Sequence, residues 1–210
     1  MFQGIVHFKA RLVSMDMDEI DEYGRLVLKM PTEKKIKRVR LGDSIAVDGV
    51  CLTVVNVDGM QISFDLLKET LRATRLIHLN QYPVCNIEQP CSMGDALHGH
   101  PVSGHVDAVV DCVKIEGENH WFSLPPVLAP MIVSKGSISI NGVSLTIGEV
   151  LSDRFCVYLI PKTLELTNLT ELKPSFFVNI EVDMMARYIV NYMKTVNLNL
   201  NYEKNSTYSL

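Results

Sequence analysis

No stretch of the 210-residue sequence approaches the roughly 18 to 20 apolar residues a membrane span requires, and the N-terminus lacks the charged and apolar regions of a signal peptide. A cytoplasmic protein is expected. Cysteine is sparse and scattered: Cys51, Cys85, Cys91, Cys112 and Cys156 are odd in number and form no C-x-x-C pair, which argues against a disulfide framework or a zinc knuckle. Reduced thiols follow. The formal net charge is only -4, and the basic residues form no long stripe, so a nucleic-acid partner has no electrostatic footprint. The one basic cluster, Lys34-Lys35-Ile36-Lys37-Arg38-Val39-Arg40, reads as a solvated strand edge that resists unwanted pairing.

What is present is an ordinary globular composition, 47% hydrophobic and 21% charged, in a chain long enough for one large or two small domains. An internal repeat favours two. Ser44-Ile45-Ala46-Val47-Asp48-Gly49-Val50-Cys51-Leu52-Thr53 returns 93 positions later as Ser137-Ile138-Ser139-Ile140-Asn141-Gly142-Val143-Ser144-Leu145-Thr146, with six of the ten residues identical. The same offset carries Thr70-Leu71, Thr74 and Leu76 onto Thr163-Leu164, Thr167 and Leu169, and Asn86-Ile87-Glu88 onto Asn179-Ile180-Glu181. Gly4-Ile5-Val6 answers Gly104-His105-Val106 at an offset of 100, so the first half carries a short insertion after its opening strand. The expected organisation is residues 1–97, residues 98–183 and a tail of residues 184–210.

Asp48-Gly49 and Asn141-Gly142 are dipeptides that suit a type I′ turn, whose two central residues need positive φ, and each lies between alternating segments. A hairpin in each half is predicted. With further β-rich runs such as Gln61-Ile62-Ser63-Phe64-Asp65-Leu66 and Arg154-Phe155-Cys156-Val157-Tyr158-Leu159, each half reads as a closed antiparallel barrel of about six strands, an all-β arrangement without open edges. Beyond them, Asp183 is placed as the N-cap of an amphipathic helix with Met185, Ile189 and Met193 on one face. Docking on another subunit and packing on its own barrel are both open to that helix. The segment from Tyr202 to Leu210 reads as a frayed end.

In Val50-Cys51-Leu52-Thr53-Val54 the apolar side chains share one strand face while Cys51 and Thr53 share the other, and Val143-Ser144-Leu145-Thr146-Ile147 repeats the pattern. Each half thus offers a pair of small polar groups outside its core, either solvent-facing filler or the floor of a ligand pocket. The same pair in both halves favours the pocket. His98-Gly99-His100-Pro101-Val102-Ser103-Gly104-His105 places three histidines within eight residues. No acidic or cysteine ligand accompanies them at a metal-site spacing, so proton transfer ranks ahead of metal binding.

Met1-Phe2-Gln3-Gly4-Ile5-Val6, Gly42-Asp43-Ser44-Ile45-Ala46-Val47-Asp48-Gly49-Val50-Cys51-Leu52-Thr53-Val54, Gly99-His100-Pro101-Val102-Ser103-Gly104-His105-Val106-Asp107 and Leu159-Ile160-Pro161-Lys162-Thr163-Leu164-Glu165 together resemble, in order, the motifs of the riboflavin synthase α-chain family. The resemblance implies two six-stranded barrels and a C-terminal helix, a homotrimer, and one 6,7-dimethyl-8-ribityllumazine bound per barrel. A four-carbon unit passes between two lumazines held face to face at a subunit interface, without a cofactor. It also implies site residues. Ser44, Cys51, Leu52 and Thr53 line an N-terminal pocket with Gly4, Ile5 and Val6 and with Asp65, Leu66, Leu67, Lys68, Glu69 and Thr70. Gly104, His105, Val106, Lys135, Ser144, Leu145 and Thr146 line a C-terminal pocket with Ile160, Pro161, Lys162, Thr163, Leu164 and Glu165. His105, Cys51, Ser44, Ser144, Thr146 and Asp183 are the expected catalytic set.

Two departures stand out: His98-Gly99-His100-Pro101 replaces the family's Gly-Gly-His-Leu, and Tyr82-Pro83 replaces a Gly-Asp before Val84, which reads as loop variation. The nearest rival is a non-catalytic antenna resembling the lumazine proteins, which look degraded in one pocket's motifs, whereas both sets are kept here. A flavin-binding barrel of the ferredoxin-reductase kind would need a following nucleotide-binding α/β domain, and the sequence has none.

Overall fold

The computed structural model describes residues 1–17, 23–32 and 39–195. The basic residues 34–38 and the segment from Tyr202 to Leu210 lie outside the described residues.

Among the described residues, twelve strands form two closed six-stranded antiparallel barrels, as the repeat predicts. The first is built from β1 (Phe8–Met17), β2 (Tyr23–Lys29), β3 (Ser44–Val47), β4 (Val50–Asp58), β5 (Gln61–Leu67) and β6 (Val84–Glu88), in the order β1-β2-β5-β4-β3-β6. The second uses β7 (Ala108–Glu116), β8 (Asn119–Ser123), β9 (Ser137–Ile140), β10 (Val143–Val150), β11 (Arg154–Tyr158) and β12 (Phe177–Val182), in the equivalent order. Alternation explains the closure. Along β2, Leu26 and Leu28 point inward while Arg25 and Lys29 point out, and Phe122 and Phe155 fill the second barrel in the same way. The register slips between Leu12 and Ser14 of β1 and between Cys112 and Lys114 of β7, matching irregularities that bend the paired strands into a barrel.

Two short helices that alternation does not reveal, α1 (Lys68–Ala73) and α2 (Pro161–Leu166), follow β5 and β11. Pro161 sits in the first turn of α2, where its missing N–H costs nothing. Each helix runs into a 3-10 turn capped by a repeated threonine: Thr74 Oγ1 accepts from the Leu76 amide and donates to Thr70 O, and Thr167 Oγ1 does the same with Leu169 and Thr163. The repeated Thr and Leu positions are these caps. The C-terminal helix α3 (Met184–Thr195) is present, started by Asp183 Oδ1 accepting the Met185 amide at 2.8 Å. It touches its own chain through Arg187, yet none of its residues is buried, and Met185, Tyr188, Ile189 and Tyr192 stay exposed.

The barrels meet turn to turn. Asp48 and Gly49 have φ of 47° and 77°, Asn141 and Gly142 have 46° and 74°, and the two type I′ turns lie back to back. A Cβ built on Gly49 would come within 2.7 Å of Gly142 N. Gly49→Ala therefore combines a left-handed alanine, costing about 1–2 kcal/mol, with overpacking of about 1–3 kcal/mol. Equilibrium denaturation should show a loss of about 2–5 kcal/mol, against only the conformational part for Gly59→Ala, where φ is 55° and the space is open. Equal losses would show that the glycine contact is not what joins the barrels. Around the turns lies a buried polar network. Asn86 Nδ2 donates to Asn141 O, Asn179 Nδ2 donates to Asp48 O, and Asn168 N donates to Asn86 Oδ1, at 2.7–2.9 Å. Tyr82, expected as loop variation, packs on Phe176 of the second barrel with ring centroids 4.1 Å apart.

Candidate active site

The segments that precede the barrels' first strands cross over. Residues 2–6 leave the first barrel and lie along β10 of the second, and residues 102–106 lie along β4 of the first. Phe2 and Val102 pair where these straps pass each other, with N–H to O distances of 2.8 and 3.0 Å in the two directions. The Ser144 amide then donates to Gly4 O at 2.8 Å, and the Cys51 amide donates to Gly104 O at 2.9 Å. Val6 packs against the core of the second barrel and Val106 against that of the first. Each strap is thus a wall of the opposite barrel's surface.

Only glycine fits the contact points. Gly4 and Gly104 have φ of 74° and 84°, and an added Cβ would lie 2.6 Å from Ser144 Cβ and 2.5 Å from Cys51 Cβ. The straps and the small residues beneath them are matched face to face. The assembled surface in the second half is a cavity of 160 Å³ with Gly4, Ile5 and Val6 on one side, Val143 and Ser144 on the floor, and Ile160, Lys162 and Thr163 opposite. An apolar wall with a few directed polar groups and a cation suits a flat polar ring.

His100 is buried behind that floor. Its Nδ1 lies 2.7 Å from Ser144 Oγ, and its Nε2 has no hydrogen-bond partner among the described residues. Burial lowers its pKa below the ordinary histidine value, and the Asp183 carboxylate opposes that. A neutral imidazole on a serine hydroxyl can hold or relay a proton at Ser144 Oγ. The His105 ring is exposed, while its backbone is pinned at both ends: its N–H donates to Glu181 Oε2 at 3.0 Å and its carbonyl accepts from Arg187 Nη2 at 3.2 Å. His98 is exposed and contributes its backbone N–H to Gln3 Oε1 at 2.8 Å.

A family model described as the lumazine binding domain matches residues 3–90 and again 103–183. The riboflavin synthase of Escherichia coli (strain K12) is 40% identical over 201 residues, covering 93% of each chain. That of Bacillus subtilis (strain 168) is 35% identical over 204 residues, covering 95% of this chain and 93% of its own. The chain belongs to the riboflavin synthase family. It is an enzyme of that family. Among solved structures, LumP complexed with 6,7-dimethyl-8-(1'-D-ribityl) lumazine superposes with a TM-score of 0.74 at 26% identity, covering 87% of this chain and 99% of LumP. LumP complexed with riboflavin gives 0.75 at 28% identity, with the same coverage.

Against the expectations drawn from the riboflavin synthase motifs, the structure makes one correction. Gly4, Ile5 and Val6 do not join Cys51 and Thr53; they cross to Ser144, Ile160, Lys162 and Thr163, while Gly104, His105 and Val106 cross to Cys51. Each strap's glycine lies against the other barrel's strand at a distance that admits no Cβ, and its valine packs on that barrel's core. The strand-face reading holds in the first half, where Val50, Leu52 and Val54 are buried, Cys51 is half-buried and Thr53 exposed beside Ser44. Ile147 and Thr146 follow it in the second.

Other expected residues are placed differently. The Leu52 and Leu66 side chains belong to the first barrel's core, so only their backbones can face a ligand, and the half-buried Leu145 and Leu164 pack against the second's. Asp65 pairs with Arg25 at 2.6 Å, and Glu165 with Lys162 at 3.0 Å, both at the surface. Leu67, Glu69 and Lys135 are exposed, and Lys68 and Thr70 are half-buried on α1. Lys135 holds a φ of 69° and donates its N–H to Ile147 O.

Among the described residues no three His, Cys, Asp or Glu side chains converge as a metal site, and no helix is long and apolar enough to cross a membrane. A larger cavity of 440 Å³, bounded by Lys9, Arg11, Lys29, Met30, Met60 and Glu171, contains none of the strap residues.

Sequence reasoning missed His100 as a partner of Ser144, and missed the role of Glu88 and Glu181. The Asn-Ile-Glu repeat was the available signal, a polar pair identical in both halves within otherwise drifting strands. In the structure both glutamates are buried, at 3% and 2% exposure, and hold the straps. Burial pushes the Glu88 carboxyl up to about 7, opposed by the strap N–H donors of Gln3, Ile5 and Gly4.

Proposed function

We propose that this enzyme binds one 6,7-dimethyl-8-ribityllumazine at each strap-walled pocket and moves a four-carbon unit from one to the other, giving riboflavin and 5-amino-6-ribitylamino-uracil. The observation that carries the reading is the doubled strap contact. The Gly4 strap lies over Ser144 and the Gly104 strap over Cys51, two similar walls on one chain, which suits a reaction between two identical molecules. One lumazine loses a proton from its C7 methyl group, and the other takes a nucleophile at C7. The four transferred carbons, C6, C7 and their methyl groups, leave the donor as the uracil and complete the new ring of riboflavin. His105 is assigned the proton transfer, with Cys51, Ser44, Ser144, Thr146 and Asp183 supplying hydroxyl, thiol and carboxylate groups around the rings. The lumazine ring itself stabilises the carbanion, so no cofactor is called for. Holding two rings in register supplies an effective molarity of roughly 10⁵ M or more.

The reading includes a cytoplasmic homotrimer whose repeat units are residues 1–97 and 98–183. It pairs the first-barrel pocket of one subunit with the second-barrel pocket of its neighbour, with the exposed apolar side chains of α3 at the subunit contact. LumP, the antenna-like alternative, is favoured by the structural likeness alone. Incubating the purified protein with the lumazine decides between them. Riboflavin absorbance is expected to rise with time, and light scattering of the same preparation is expected to show a trimer. Stable lumazine binding without turnover would favour the antenna, and a fully active monomer would overturn the shared site.

A further inference from the structure

Burying a carboxylate without a cation is expensive unless hydrogen bonds replace its water. Glu88 and Glu181 meet that condition by capturing the straps. Glu88 accepts from the Gln3 amide at 2.7 Å and the Gly4 amide at 3.0 Å. Glu181 accepts from the Ser103 amide at 2.7 Å, Ser103 Oγ at 2.6 Å, the Gly104 amide at 2.9 Å and the His105 amide at 3.0 Å. Both carboxylates belong to strands of their own barrel: Glu88 pairs with Ala46 across β3, and Glu181 with Ser139 across β9. The straps they hold nevertheless finish the pocket of the other barrel.

We propose that Glu88 and Glu181 are positioning residues that act crosswise, Glu88 setting the Gly4–Val6 wall over Ser144 and Glu181 setting the Gly104–Val106 wall, with His105, over Cys51. This rests on the reading of both pockets as lumazine sites, but the geometry behind it does not depend on what binds there. A carboxylate is suited to the task because its two oxygens accept from successive amides, which fixes both the position and the twist of the strap. An amide side chain in its place keeps one acceptor and turns the other end into a donor facing an N–H. The strap glycine is then released from the strand it covers. A purely structural glutamate would loosen the barrel to which it belongs.

The experiment is amide hydrogen exchange on the full chain, reading the Cys51 and Ser144 N–H groups that donate to Gly104 O and Gly4 O. Glu181→Gln is expected to speed exchange at Cys51 about 10-fold, within the range for a weakened hydrogen bond, and to leave Ser144 within about 2-fold. Glu88→Gln is expected to do the reverse. Turnover of the lumazine should fall about 10- to 100-fold in each, because small displacements of a positioning wall carry penalties of that order. Ser103→Ala removes a single donor to Glu181 and should give the Cys51-selective effect at smaller size, which keeps the test available if a glutamate variant does not fold. Acceleration of both amides together, or of neither, would overturn the crosswise role, as would selective acceleration in variants with parental turnover. Crosswise exchange in a parent chain that makes no riboflavin would retire the proposed reaction and leave the strap assignment standing.

Discussion

Arg75→Asn is expected to destabilise the chain by about 3–5 kcal/mol, and the second change Asp48→Asn is expected to recover at least half of that loss. Arg75 and Asp48 form an ion pair between side chains with no exposure, in the network between the barrels. The arginine also lies over the Phe176 ring, 5.3 Å from its centroid, and its amide donates to Asn179 Oδ1 at 2.7 Å. Removing one partner of such a pair leaves an uncompensated buried charge, the source of the large penalty.

The second half supplies the neutral alternative. At the offset of 93 residues, Asn141 stands for Asp48 and Asn168 for Arg75, and Asn141 Nδ2 reaches Asn168 Oδ1 at 3.3 Å. The double variant would give both halves the same amide pair, at the cost of a small void beneath Phe176. The pH dependence of stability adds a second readout. Burial already raises the Asp48 carboxyl above its ordinary value, with Arg75 the first opposing influence. Without Arg75 the folded state holds the Asp48 proton still more tightly than the unfolded state, so stability falls as pH rises above about 4, more steeply than in the parent. Urea denaturation of parent, single and double variants at several pH values measures this. A double variant no more stable than Arg75→Asn, or a single variant without the pH trend, would show that the ion pair is not what holds the interface.

Much of this architecture is legible in the sequence. The repeat, the Asp48-Gly49 and Asn141-Gly142 turns and the alternation in β4 predict two six-stranded barrels. Alternation also puts Cys51 and Thr53 outside the core, where they are found. Strap pairing is a different matter. The likeness of Gly4-Ile5-Val6 to Gly104-His105-Val106 shows that the straps are equivalent but is silent on which barrel each covers, since own-barrel and crossed arrangements preserve the same repeat. The choice is made by contact, a glycine against Cys51 or Ser144 at a distance that admits no Cβ. Helices α1 and α2 span six residues each, under two turns, too short for a period to show among strands. The glutamates were legible as a repeated motif, but their role was not, because a buried acid on a strand acquires meaning only from the amides it meets. His100 was hidden for the same reason.

The histidines give the largest expected effects on catalysis. His105→Gln is expected to lower turnover about 10²- to 10⁴-fold, the range for a group that transfers a proton in the rate-determining step. Its ring is exposed on the strap whose glycine lies over Cys51, and the backbone bonds to Glu181 and Arg187 hold that strap in place. Glutamine keeps a polar side chain of similar reach without a titrating nitrogen, so the change isolates proton transfer from shape. His100→Gln is expected to cost about 10-fold, because His100 acts only through Ser144 Oγ and the loss is of the order of one hydrogen bond. His98→Gln should stay within about 2-fold, since that residue contributes its backbone N–H and its ring stands in solvent. Single-turnover rates at saturating lumazine, taken across pH, separate the three. Unchanged single-turnover rates for His105→Gln would take the imidazole out of the mechanism and pass proton transfer to the Ser144 and His100 pair, whereas loss of parent activity on chelation would return the histidine cluster to metal binding.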